Sequence, residues 1–181
     1  MNNVIIFPTD TVYGIGCSIY DKESQLEIYK IKHRDLNKPL AVLCASLEQI
    51  DKIAYLNDDA VKLINKFLPG PFTLILKAKE DIKEIMGIDT IGVRIPNHKL
   101  ALSILSEIGP MTTTSVNESG EIPLNTYDEI YNIYKDKVKK IYQSNEPSSN
   151  LSSTVAKIID DKIEILREGA ITKKMIEDVL K

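Results

Sequence analysis

Proline and glycine fence this chain into short pieces. The apolar run "VIIF" at residues 4–7 is closed by Pro8, and "PLAVLCA" at 39–45 opens on Pro39. "FTLILKA" follows "PGP" at 69–71, and "TIGVRIP" at 90–96 stops on Pro96. Runs this short, rich in β-favouring residues and bounded by helix breakers, read as strands. "PTDTVYGIGC" reads as a polar turn with two glycines. Stretches of helical period lie between the strands: "ESQLEIYKIKHR", "LEQIDKI", "DDAVKLINKFL" and "HKLALSILSEIG", the last ending on Gly109. "MTTTS" reads as a strand edge running into a polar loop, and "TYDEIYNIYKDK" as a helix with Thr126 and Glu129 as a capping box. "VKKIY" is a short strand, "QSNEPSSNLSS" a polar linker, "TVAKIID" with "KIEILRE" a hairpin, and "TKKMIEDVLK" a closing helix. Strands and helices mix without strict alternation. The expected fold class is α/β in the mixed α+β sense, a twisted open mixed sheet with flanking helices.

A chain of 181 residues with 43% apolar and 27% charged residues is expected to form one domain over 1–181. Its net charge of -3 argues against a protein that coats nucleic acid with its whole surface. Cys17 and Cys44 match no metal-ligand spacing and read as buried free thiols of a reducing compartment. No apolar run approaches the ~20 residues that span a bilayer, and "MNNVIIFPTD" lacks the marks of a signal peptide. No membrane association and a cytoplasmic location are expected.

Five stretches carry chemistry. "KIKHRDLNKPL" places Lys30, Lys32, Arg34 and Lys38 within nine residues. These cations either solvate a helix end or cradle an anion, which an arginine fork grips with two bonds. "PTDTVYGIGC" offers the hydroxyls of Thr9, Thr11 and Tyr13 beside two glycines, without the spacing of a P-loop. Arg94 sits inside the apolar strand "TIGVRIP", where it must be paired or face a cleft. Thr113, Ser115 and Asn117 alternate, and on an extended chain they share one face. Ser153 in "SSTV" and Arg167 in "LREGAI" come last, and taken alone Arg167 reads as a surface arginine at a hairpin end.

Taken in order, "PTDTVYG", "KxR…KPL", "PGPFTLIL", "VRIP", "SVNESG", "STV" and "LREGAI" resemble the YrdC/Sua5/TsaC family from residue 7 to about 171. The likeness is to the short, single-domain TsaC type. The resemblance implies a YrdC-like sheet with a concave basic cavity. It also implies synthesis of threonylcarbamoyl-adenylate and pyrophosphate from L-threonine, bicarbonate and ATP, with Mg²⁺ on the phosphates, for the t6A modification of tRNA. Carried over by position, it implies catalytic roles for Lys32 and Arg34, and ATP contacts from Arg34, Lys38, Thr90, Ser115, Asn117 and Arg167. Threonine contacts are implied for Thr11, Arg94, Thr113 and Ser153. The implied partners are the downstream t6A transfer enzymes and a weak tRNA contact.

The sequence departs from the family pattern at several places. Little chain precedes the first strand, where relatives carry a helix. Asp35 stands for the usual proline, Val116 turns "SAN" into "SVN", Leu43 replaces a histidine, and "PSSNLSS" replaces a glycine-containing loop. Asp35 places a negative charge beside the implied phosphate site, and the changes at Leu43 and the loop are expected to bear on threonine selectivity. Two rival functions remain: an RNA-binding YrdC-like protein without synthase activity, and a paralogue that adenylates another carbamate.

Overall fold

Helix starts are marked by side chains that accept a first-turn backbone N–H. Asp21 caps α1 (Lys22–Ile31), Ser46 caps α2 (Leu47–Ile53) and Asn57 caps α3 (Asp58–Phe67). His98 caps α5 (Lys99–Ile108) and Thr172 caps α7 (Lys173–Leu180). Thr126 precedes α6 (Tyr127–Tyr134), but its hydroxyl donates to the Glu129 carboxylate and caps no amide. A further helix, α4 (Glu80–Met86), ends on Gly87 in the left-handed region, φ 68°. This computed structural model describes residues 2–181.

The strands are β1 (Ile5–Phe7), β2 (Gly14–Ser18), β3 (Ala41–Leu43), β4 (Phe72–Lys77), β5 (Thr90–Arg94), β6 (Met111–Ser115), β7 (Lys140–Ile141), β8 (Thr154–Ile159) and β9 (Lys162–Arg167). They form one mixed sheet in the order β7-β1-β2-β6-β3-β5-β4-β8-β9. Three neighbouring pairs, β1 with β7, β3 with β5 and β4 with β8, are parallel. The expected mixed sheet with flanking helices is what forms. Two details differ. "MTTTS" is a central strand, and the glycines of "PTDTVYGIGC" lie within β2.

Alternation along the strands gives the sheet two unlike faces. On one face Ile6, Ile15 and Cys17 pack with Ile28 of α1 and with Ile130 and Tyr134 of α6. Val42, Leu74, Leu76, Ile91, Val93 and Ala156 continue that face, covered by α2, α3, α4 and α7. On the other, α5 covers Ile5, Phe7, Leu43 and Met111, with Ala45 and Tyr142 packed alongside. The two cysteines are free and buried, and burial pushes the Cys17 thiol up to about 12 and Cys44 higher still.

Glycine in β2 has a steric cause. A Cβ on Gly16 would stand 2.6 Å from the Thr112 carbonyl oxygen and 2.7 Å from Thr113 Oγ1. The backbones of β2 and β6 are pressed together with no room for a methyl group. Gly16→Ala should therefore cost about 1–3 kcal/mol, read as a lower urea midpoint. Gly92→Ala, whose Cβ would meet side chains at an ordinary 3.4 Å and 3.6 Å, should cost much less.

Candidate functional site

Beyond α5, the second sheet face is bare and forms a cleft of about 320 Å³. Its floor is built from same-face positions of seven strands: Gly14, Thr113 and Ser115, Ala41 and Leu43, Thr90, Gly92 and Arg94, Thr73 and Ile75, Val155, and Arg167. Most of these positions are small or hydroxylated, while their strand neighbours Ile15, Ile91, Val93 and Leu74 fill the opposite core. One wall is the loop between β1 and β2, with Thr9, Thr11, Val12 and Tyr13. Arg34, Pro39 and Leu40 form another, and Ser152 with Ser153 a third.

Among the described residues, the charged groups lining the cleft are Arg34, Arg94 and Arg167. Arg94 ends β5 with its side chain 8% exposed and pairs with Asp10 at 2.6 Å. Its Nε donates to the Gly70 carbonyl at 3.0 Å and its Nη1 to Thr11 Oγ1 at 2.9 Å. Burial pushes its pKa down and Asp10 pulls it back up. Arg94 is thus both paired and turned to a cleft. Asp10, read from sequence only as part of "PTDTVYG", also accepts the Asn97 amide at 3.1 Å. The Thr9 hydroxyl donates to the Val12 carbonyl at 2.6 Å, so in the 3.1 Å Thr9–Thr11 contact Thr11 supplies the proton. Receiving from Arg94 and giving to Thr9, Thr11 keeps one lone pair with which to accept from a ligand.

Arg167 ends β9 and turns inward, its Nε donating to the Ser153 carbonyl at 3.0 Å and Nη2 to Ser153 Oγ at 3.3 Å. Ser153 Oγ also meets Thr73 Oγ1 at 2.8 Å. Thr73 went unnoticed in the sequence, though it alternates with Leu74 in "FTLILK" as Arg94 does with Val93. The two late motifs belong together. Thr154 Oγ1 accepts from the amides of Gly169 and Ile171 at 2.8 Å and 3.1 Å and donates to the Ile171 carbonyl at 2.7 Å. A Cβ on Gly169 would lie 2.6 Å from the Ser152 carbonyl oxygen, so only glycine brings the chain past this point.

Arg34 reaches the cleft from the loop after α1, its Nε and Nη2 donating to the carbonyls of Lys38 and Pro39 at 3.2 Å and 3.1 Å. Asp35 turns its carboxylate to the Asn37 amide at 2.9 Å. Lys38 is exposed and stands outside the lining residues. Lys32 and Asn117 also stand outside. Lys32 is 1% exposed, and its ammonium donates to the carbonyls of Ser115 and Asn117, the latter at 2.6 Å, and to Asn117 Oδ1 at 3.1 Å. Asn117 Oδ1 accepts from Ser115 Oγ at 2.6 Å, and its amide nitrogen donates to the carbonyls of Glu118 and Glu121, both at 2.8 Å. Every donor of Lys32 and of the Asn117 amide is therefore engaged. β6 ends at Ser115, so the shared face of Thr113 and Ser115 does not extend to Asn117. Of the expected site residues, Thr11, Arg34, Thr90, Arg94, Thr113, Ser115, Ser153 and Arg167 meet in one cleft.

The family profile described as telomere recombination, that of Sua5, YciO and YrdC proteins, matches residues 1–169. A Methanocaldococcus jannaschii protein provisionally named threonylcarbamoyl-AMP synthase is 42% identical over 168 residues, 93% of this chain and 80% of the relative. The Bacillus subtilis threonylcarbamoyl-AMP synthase is 33% identical over 184 residues, 99% of this chain and 53% of the relative. The crystal structure of Pyrococcus abyssi Sua5 complexed with L-threonine superposes with a TM-score of 0.91 at 30% identity, covering 98% of this chain and 54% of Sua5. The chain thus spans about half the length of these two longer relatives. This protein belongs to the Sua5/YciO/YrdC family.

Proposed function

We propose that this chain makes threonylcarbamoyl-AMP from L-threonine, bicarbonate and ATP, with release of pyrophosphate, and that its product serves the t6A modification of tRNA. The observation that carries this reading is the cleft that gathers three arginines with the hydroxyls of Thr11, Thr73, Thr90, Thr113, Ser115 and Ser153. It suits ligands that bring a carboxylate, a hydroxyl and phosphates. The relatives' names and the L-threonine bound to P. abyssi Sua5 support the same choice. On this reading Thr11, Arg94, Thr113 and Ser153 hold the amino acid. Arg34, Thr90, Ser115 and Arg167 hold the nucleotide, with Lys38 at the rim. Lys32 and Asn117 keep Ser115 in place.

The threonine amine takes up bicarbonate as a carbamate, with loss of water. A carbamate oxygen then attacks the α-phosphorus of ATP, and the bond to pyrophosphate breaks. Positioning and charge stabilisation supply the rate, with no covalent enzyme intermediate. Magnesium is expected to arrive on the phosphates of ATP. Among the described residues no group of three or more His, Cys, Asp or Glu is placed to hold a metal ion. The proposed setting is the cytoplasm, with the t6A transfer enzymes downstream and a weak tRNA contact. Among the described residues no helix is long and apolar enough to cross a membrane.

Purified protein given ATP, Mg²⁺, bicarbonate and L-threonine should release pyrophosphate, and omission of threonine should abolish most of it. Equal release without threonine overturns the reading. A second prediction concerns pH. Burial brings the Lys32 pKa down to about 8, and the nearby Arg34 charge adds to the effect. As pH rises through 8 the group falls from three N–H donors to two, so its hold on Ser115 and Asn117 loosens and ATP affinity should drop between pH 7 and 9. Folding stability takes the opposite sign. Between about 8 and the ordinary lysine value of 10.5 the unfolded chain binds more protons, so this group's contribution to stability rises with pH. Lys32→Met should flatten the affinity profile and weaken ATP binding about tenfold at pH 7. Titration of a non-hydrolysable ATP analogue across this range measures both effects.

A further inference from the structure

The connection from β7 to β8 carries no regular structure and crosses most of the sheet, from one edge strand to the neighbour of the other. Long irregular connections in compact domains are commonly functional. This strap ends in Ser152 and Ser153, which line the cleft. Opposite it runs the loop that carries Thr9, Thr11 and Tyr13. Strap and loop are laced by backbone bonds: the Ser149 amide donates to the Asp10 carbonyl at 2.9 Å, and the Asn150 amide to the Thr11 carbonyl at 3.1 Å. One side chain binds both. Asn125 Oδ1 accepts the Tyr13 amide at 3.0 Å, and its Nδ2 donates to Ser148 Oγ at 2.6 Å and to Asn150 Oδ1. Asn125 has a firm base, because the preceding Leu124 amide donates to the Val116 carbonyl at 2.8 Å and Leu124 packs into the core.

We propose that Asn125 is a positioning residue that clasps the 143–153 strap to the Thr9–Tyr13 loop and so sets the spacing between Thr11 and Ser153. Resting on the function proposed above, this is the end of the cleft that receives the amino acid. Asn125 is itself absent from the lining residues and acts through the two segments it joins. A shift of about 1 Å between two such walls is enough to spoil a site whose ligand is gripped from both sides.

Two variants test the clasp from its two ends. Asn125→Ala removes the bonds to loop and strap. Ser148→Ala combined with Asn150→Gly cuts the strap side alone, and glycine preserves the left-handed backbone at position 150, φ 58°. Both variants should weaken L-threonine binding about five- to tenfold by calorimetry, less than the direct loss of Asn125's three hydrogen bonds would give, because the clasp acts on threonine through the two segments it joins. Both should speed hydrogen exchange at the amides of Ser149 and Asn150. The KM for ATP should change less than twofold, which separates positioning from a general loss of folding. Unaltered threonine affinity in either variant overturns the proposal, as does unaltered exchange. If the unmodified protein does not bind threonine while exchange still responds, the functional reading fails and the clasp stands.

Discussion

Two faces of one sheet make opposite demands on the same strands. A core needs bulk at every inward position, whereas a cleft needs bulk removed. Period-two alternation lets a strand meet both. β5 sends Ile91 and Val93 into the core and turns Thr90, Gly92 and Arg94 to the cleft. β2 does the same with Ile15 and Cys17 against Gly14. α5 covers only the end of the cleft face where Phe7, Leu43 and Met111 supply apolar surface. Among the described residues, the cavity is therefore a region of sheet that no helix covers.

Hydrogen-bond accounting separates the polar residues of this region into two kinds. Lys32 has spent its donors on Asn117 and the Ser115 carbonyl, and Asn117 its own on the Glu118 and Glu121 carbonyls, a closed network of the sort that stiffens a turn. Arg34 and Arg167 each commit two nitrogens to backbone or serine oxygens, and the rest of the guanidinium is left over. Neither has a carboxylate within ion-pair distance among the described residues, whereas Arg94 is offset by Asp10. The uncompensated positive charge of the cleft therefore sits on Arg34, in the loop after α1, and on Arg167, at the end of the edge strand β9.

Much of this was legible in the sequence, for reasons that differ by residue. Arg94 among apolar neighbours had to be paired or turned to a cleft, because an unpaired buried guanidinium costs too much. Thr113 and Ser115 share a face for as long as the strand lasts. The same alternation puts Asn117 on that face, but the structure does not, because β6 stops at Ser115 and strand ends are set by partners rather than by local pattern. The glycines of β2 look like a turn on paper. What requires them is the close approach of Thr112 and Thr113, nearly a hundred residues away. Arg167 alone looked like a surface residue, because nothing local records that Ser153 waits to receive it.

The order of the strands explains why the site is scattered along the chain. β6 lies between β2 and β3, and β8 pairs with β4, so strands distant in sequence become neighbours. The cleft is then assembled from seven strands and several loops, and no single stretch holds two complete walls. Seven weak motifs consequently add up where one alone would say little. What joins them is long-range backbone pairing, completed by side chains such as Thr154, which accepts the amides of Gly169 and Ile171. Residues of that kind touch no cleft surface, yet they fix where Ser153 and Arg167 stand. A substitution there would move the site by displacing its frame while leaving every lining residue chemically intact.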